Sequence, residues 1–242
     1  MKLAAMWIYR SAANFMINAG LGVRVSGGGQ GRDRMFLGGR RRDGEAMITD
    51  DARAAGRTAY PWLRPTAVTA SLLLLAYGLL RLLDGLDGHR DKDGWAWNLG
   101  HTLFLLGVVL FGFLMVGLRA VLRDGSRRRR TLADVATVAG LVGAVGFGWV
   151  ILGDLFAGFA DAVDTPDLVL FGGPLLFELG LLTLLTLAAT ARPRLLPAWA
   201  PVLVLAGFVA IAVNLDLLPI GAALVLAGLL PISPPARTGA AR

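Results

Sequence analysis

The sequence contains no cysteine and only two histidines, His89 and His101, in 242 residues. The missing thiols exclude a disulfide framework and a thiolate metal site, and two histidines exclude a histidine-rich metal centre. Charged residues are scarce too, at 17% of the chain, against roughly 25% in soluble domains. With glycine counted, apolar residues reach about 68%, against about 45–50% in soluble domains. This composition favours lipid over water as the solvent, and it predicts neither a metal nor a cofactor.

The net charge of +7 and the mean hydropathy of +0.62 describe a basic and strongly apolar chain. Basic residues that bind a nucleic acid form one patch with aromatic or polar side chains among them. Here they form short blocks that separate long apolar runs, which is the pattern of membrane topology. We therefore expect a lipid bilayer as partner and no nucleic acid.

Residues 1–64 form a separate zone that is rich in arginine and glycine and shows no period of 2 or 3.6. Such a segment is predicted to be a disordered cytoplasmic extension. Its first residues resemble a signal peptide, but Arg10 shortens the apolar run and no convincing cleavage site follows. Translation from Met47 is the alternative, with a short cytoplasmic lead into the first apolar segment. Both interpretations stay open.

From residue 65 the chain divides into apolar segments whose lengths are close to the roughly 20 residues that cross a bilayer as a helix. The predicted spans are 66–83, 97–118, 132–153, 168–190, 197–213 and 217–233. The last two are short, and a re-entrant or irregular hairpin is their alternative. The fold class is thus an all-α transmembrane bundle of about six spans over 65–233, followed by a short tail, 234–242.

The charges of the connecting loops alternate in sign. Arginine-rich segments precede span 1, join spans 2 and 3, follow span 4 and end the chain: Arg53, Arg57, Arg64, Arg119, Arg123, Arg127–Arg130, Arg192, Arg194, Arg237 and Arg242. The other loops are acidic, with Asp84, Asp87, Asp91, Asp93, Asp161, Asp164 and Asp167. Because basic loops stay inside the cell, this pattern predicts that both termini are cytoplasmic.

Two patterns concern how the helices pack. The segments Gly100–Gly107, Gly173–Gly180 and Gly221–Gly228 resemble one another ("GHTLFLLG", "GPLLFELG", "GAALVLAG"), which suggests three repeated helical hairpins. Span 3 carries a small residue at every fourth position: Ala136, Gly140, Ala144 and Gly148. Such a stripe lets another helix approach closely. The approaching helix belongs either to the same chain or to a second copy in a homo-oligomer.

Ionisable residues inside the spans are the functional candidates, because a charge in hydrocarbon is costly and is rarely without a role. The predicted topology places them in or near the outer half of the bilayer: Glu178, His101, Arg81, Asp154, Asp216 and Asn214. We expect an outward-facing polar pocket with Glu178 as its proton-accepting or charge-pairing centre. The alternative is that Glu178 forms a purely structural pair with Arg81 or His101.

The sequence holds no phosphate-binding loop, HExxH, GxSxG, dinucleotide fingerprint or closely spaced carboxylate pair. No nucleophile and base stand together, so an enzyme is the least favoured class and no catalytic residue is assigned. The favoured function is binding or passage of a small solute, a proton or a lipid. The alternative is a non-catalytic structural or accessory membrane subunit.

Four segments, "WNLGHTLFLLG", "ILGDLFAGFAD", "GPLLFELGLL" and "LDLLPIG", carry a family resemblance. Over residues 60–233 the chain resembles the small multi-pass membrane proteins of GC-rich bacteria, most of which are uncharacterised. The resemblance implies an inner-membrane location and supplies no catalytic or binding residue.

Overall fold

The computed structural model describes residues 60–86, 94–123, 125–162 and 165–233, all within one compact unit, Ala59–Pro235. The elements are α1 (Leu63–Asp84), α2 (Trp95–Leu122), α3 (Arg127–Leu155), α4 (Ala157–Ala162), α5 (Asp167–Ala189), α6 (Ala200–Val213), a 3-10 turn (Leu215–Leu217) and α7 (Leu218–Leu229). No strand occurs in these ranges, so the predicted all-α class is confirmed. The predictions for the N-terminal extension before residue 60 and for the tail 234–242 concern residues outside them.

Helices α1, α2, α3 and α5 are long and apolar enough to cross a membrane. They contain the first three predicted spans, and α5 covers the fourth except for its last residue, Thr190. Helix α1 begins at Leu63, three residues before the predicted span. Pro65 lies in the first turn of this helix, where proline is tolerated because the backbone N–H that it lacks would have no partner within the helix. Helix α5 continues through Pro174.

Helices α6 and α7 are shorter, with 14 and 12 residues, or about 21 and 18 Å, against roughly 30 Å of hydrocarbon. Non-helical residues extend this hairpin at the end where α5 finishes. Leu195 donates a backbone hydrogen bond to Ala188, and Ser233 donates one to Leu195. At the opposite end the turn between α6 and α7 lies beside Gly85, just after α1. The hairpin therefore extends between both ends of the bundle, although neither of its helices has the length of a complete span.

The two ends of the bundle differ in charge. The arginine-rich end carries Arg119, Arg123, Arg127–Arg130, Arg192 and Arg194, and the acidic end carries Asp84, Asp154, Asp167 and Asp216. A hydrogen bond from Arg129 Nη2 to the carbonyl of Thr190, at 2.8 Å, joins the start of α3 to the end of α5. A cation at this position also stabilises the negative end of the α5 dipole. One arginine of the Arg127–Arg130 run thus belongs to the bundle itself.

The bundle is built from three antiparallel hairpins, α1 with α2, α3 with α5, and α6 with α7. In each hairpin the two glycines of the repeated segment lie on the second helix and contact the first. The contacts are Gly100 with Tyr77, Gly107 with Ala70, Gly173 with Gly146, Gly180 with Gly140, Gly221 with Gly207, and Gly228 with Ala200. Small residues allow this close approach, which stabilises helix pairs in lipid, where apolar side chains gain nothing by leaving the solvent. The glycines of the three similar segments therefore share one role: they let the two helices of each hairpin pack closely.

The small-residue stripe of α3 follows only part of this interface. Ala136 and Gly140 are buried, and both contact Gly180. Gly148 is buried with Leu105 as its neighbour, and Ala144 is half-buried. Four residues exceed one helical turn by about 40°, so the stripe turns away from α5 toward α2. These described contacts lie within the chain, which favours the intramolecular interpretation of the stripe.

Large apolar side chains cover the outside of α3. Val135, Val138, Val142 and Val145 lie on one face and are 59–75% exposed. Water-soluble monomers rarely expose such a continuous apolar surface. The faces of the described helices are therefore compatible with a lipid bilayer.

Candidate functional site

His101 is the centre of a polar cluster at the acidic end of the bundle. It lies two turns into α2 and is 3% exposed. Its Nδ1 lies 2.9 Å from the carbonyl oxygen of Trp97, and its Nε2 lies 3.3 Å from Tyr77 Oη. Asp154 Oδ2 lies 3.8 Å from the same Nε2. The ring therefore stands between a backbone acceptor, a phenol and a carboxylate.

The partners of His101 determine which ring nitrogen carries the proton. A carbonyl oxygen only accepts, so Nδ1–H donates to Trp97. In the neutral ring Nε2 is then the acceptor, and Tyr77 Oη–H donates to it. A proton taken up at Nε2 would lie next to the Asp154 carboxylate. The neutral ring therefore carries its proton on Nδ1.

Trp97 connects α2 to both neighbouring helices. Its Nε1–H donates to the carbonyl oxygen of Asp154 on α3, at 2.9 Å. Its ring lies over His101, with the centroids 4.2 Å apart, and Arg81 Cζ of α1 lies 5.9 Å from the ring centroid. That separation is within the range of a cation–π contact. Three helices therefore meet at this indole.

Aromatic rings close the cluster toward the middle of the bundle. Tyr77 stacks on Phe104 at 4.5 Å, and Phe104 meets Phe147 edge-on at 5.1 Å. Phe177 contacts both Phe147 and Phe111. We call Phe104, Phe111, Phe147 and Phe177 the aromatic floor. The polar cluster lies between the aromatic floor and the acidic end of the bundle. The apolar core continues from the floor toward the arginine-rich end.

Glu178 lies at the level of this floor, next to Phe177 on α5, and is half-buried. The backbone of Phe177 contacts Gly143, which precedes Asp154 by about eleven residues, or roughly 16 Å along α3. The structure thus places Glu178 deeper in the bundle than Asp154. The pairing of Glu178 with Arg81 or His101, and its role as the centre of the site, stay predictions.

A cavity of about 300 Å³ lies between the end of α1 and the turn that joins α6 to α7. It is lined by Gly78, Arg81, Leu82, Gly85, Leu86, Leu215, Asp216 and Pro219. Arg81 contacts Trp97 as well, so this arginine connects the polar cluster with the cavity. Among the described residues, buried Arg81 Nε has no hydrogen-bond partner, and neither has buried Asp84 Oδ2 one turn later.

The two remaining predicted residues have different positions. Asp216 is exposed and lines the cavity. Asn214 accepts a hydrogen bond from the backbone N–H of Asp216 at 3.0 Å and thereby starts the 3-10 turn. Asn214 thus shapes the turn, whereas Asp216 lines the cavity.

The structure brings together Arg81, His101 and Asp154, and adds Tyr77 and Trp97, which sequence reasoning missed as site residues. A usable signal was present, because Tyr77 precedes Arg81 by four residues and Trp97 precedes His101 by four. Residues four apart lie on the same helix face, so both aromatic residues share a face with a polar candidate.

In the described ranges no group of three or more His, Asp or Glu residues is arranged to hold a metal ion. Comparison of the chain with protein-family models, curated proteins and solved structures finds no match.

Proposed function

We propose that the chain is an inner-membrane protein whose termini lie in the cytoplasm and whose acidic end faces outward. The separation of arginines and aspartates between the two ends of the bundle supports this orientation, because basic loops are retained on the cytoplasmic side. The cavity beside Arg81 would then open toward the outside of the cell.

We further propose that this cavity binds a small solute that carries a carboxylate or phosphate group. One observation carries the proposal: Arg81 is the cation among the residues that line the cavity. A guanidinium matches the geometry of carboxylate and phosphate oxygens. The cavity volume of about 300 Å³ suits a small ligand.

The His101–Asp154 pair would contribute a proton site next to the bound solute. Arg81 contacts the Trp97 ring that also covers His101, so ligand charge at Arg81 and protonation of His101 would influence each other.

Replacing Arg81 with Gln is expected to weaken solute binding at least tenfold, because the ligand loses a charge-assisted hydrogen bond. Purified protein in detergent is titrated with acetate, succinate, glutamate and phosphate, and with acetamide and glutamine as neutral counterparts. The midpoint of thermal unfolding reports binding. An acidic solute should stabilise the wild type more than its neutral counterpart does.

Arg64→Gln is the matched control, since Arg64 is an exposed arginine at the other end of the same helix. It should bind as the wild type does. Equal stabilisation of the Arg81→Gln variant would contradict the proposed site.

A structural or accessory subunit is the second candidate, and a specific observation favours it. The bonds Trp97–Asp154 and Tyr77–His101 join three different helices, so the cluster also holds the bundle together. If the acidic solutes leave the unfolding midpoint of the wild type unchanged while changes in the cluster destabilise it, the structural function is favoured.

A further inference from the structure

A second polar cavity lies at the arginine-rich end, far from the proposed solute site. Its volume is about 230 Å³, and it is lined by Arg119, Leu122, Arg123, Arg130, Ala133 and Asp134. It stands between the last turn of α2 and the first turns of α3. A water molecule takes up roughly 30 Å³ of the liquid, so the cavity holds a group of several heavy atoms.

The lining of this cavity is strongly basic. Three arginines face one aspartate, which leaves an excess of two positive charges. Arg119 Nε donates to Asp134 Oδ1 at 2.6 Å, so Asp134 holds Arg119 in place. In the described part of the chain, Arg123 and Arg130 show no side-chain hydrogen bond or ion pair, and both are exposed. Two arginines are thus available to an anion beside a fixed third.

The arginines of the Arg127–Arg130 run therefore have different roles. Arg129 donates to Thr190 at the end of α5, whereas Arg130 lines the cavity. The geometry groups Arg130 with Arg119 and Arg123 at one cavity.

We propose that this cavity binds the phosphate group of an anionic phospholipid. Helices α2 and α3 are two of the four that are long and apolar enough to cross a membrane, so their joined ends lie at the depth of lipid headgroups if they cross it. Basic pockets between transmembrane helices are suited to such headgroups. Arginine forks pair with two phosphate oxygens at once. The acyl chains would follow the exposed apolar face of α3.

The test measures lipid retained by the purified full-length chain in native mass spectra. Phosphatidylglycerol, phosphatidylcholine and inorganic phosphate are the three probes. The wild type should retain one phosphatidylglycerol in preference to phosphatidylcholine. The double variant Arg123→Gln/Arg130→Gln should bind it roughly thirtyfold more weakly, the factor for two basic residues close to an anionic lipid surface.

Arg192→Gln/Arg194→Gln is the matched control, because it removes the same charge from two exposed arginines at the same end, outside the cavity. This control should stay within threefold of the wild type. Equal weakening in both double variants would overturn the site in favour of general surface charge. Equal retention of phosphatidylcholine, or inorganic phosphate binding as tightly as the lipid, would overturn the assignment to an anionic phospholipid.

Discussion

Gly143→Ala is expected to lower the free energy of unfolding by about 3 kcal/mol, the upper part of the range for overpacking a tight interface. A Cβ at this position would meet the backbone nitrogen of Phe177 and, at 2.7 Å, the carbonyl oxygen of Gly173. Backbone atoms cannot move aside as a flexible side chain can. Helices α3 and α5, which form the most extensive helix pair of the bundle, would have to separate.

Gly153→Ala on the same helix is the matched control, since its Cβ would meet nothing within 4 Å. Alanine is a better helix former than glycine by up to about 1 kcal/mol, so this variant should be unchanged or slightly stabilised. Unfolding midpoints in mild detergent measure both changes. The same shift in both variants would show that α3 does not pack on α5 through Gly143.

His101→Leu is expected to lower the free energy of unfolding by about 2 kcal/mol, because buried polar partners lose their contacts. Leucine fills similar space but offers neither the acceptor for Tyr77 nor the nitrogen beside Asp154. Thr102→Val is the control, since the exposed Thr102 hydroxyl bonds to the carbonyl of Asn98 on its own helix. That variant should melt within a degree or two of the wild type.

A double-mutant cycle with Tyr77→Phe separates the hydrogen bond from simple packing. Phenylalanine keeps the stack on Phe104 and removes only the hydroxyl. The two changes together should cost about 1 kcal/mol less than their sum, because both remove the same hydrogen bond. Strict additivity would mean that Tyr77 and His101 do not interact and that the cluster has another organisation.

The spans and the opposite charges of the two ends could be predicted because both depend on local properties of the sequence. An apolar run of about 20 residues predicts a membrane-spanning helix, and a block such as Arg127–Arg130, which forms the first turn of α3, marks where the apolar run begins. Neither feature depends on the neighbouring helices. The shorter α6 and α7 depend instead on a turn begun by Asn214 and on Pro219 in the first turn of α7. Hydropathy does not register such features.

The polar site was predicted only in part, because it too depends on contacts between helices. Depth along a helix follows from counting residues, which brought Arg81, His101 and Asp154 to the same end. Helix rotation and partner choice do not follow from counting. The hydrogen bond from Trp97 to Asp154 on another helix is such a feature. The fourth-residue stripe of α3 likewise missed Gly143, which lies three residues after Gly140 and contacts α5 more closely.

Thiol labelling in intact cells tests most directly whether the cavity beside Arg81 opens outward across a membrane. The natural chain has no cysteine, so each single variant carries only the introduced thiol. Leu86→Cys lies at the cavity, where Leu86 is 71% exposed, and Ser126→Cys lies at the arginine-rich end. A membrane-impermeant maleimide should modify Leu86→Cys in intact cells and Ser126→Cys only after permeabilisation. Labelling of Ser126→Cys in intact cells with Leu86→Cys protected would contradict the outward-facing site.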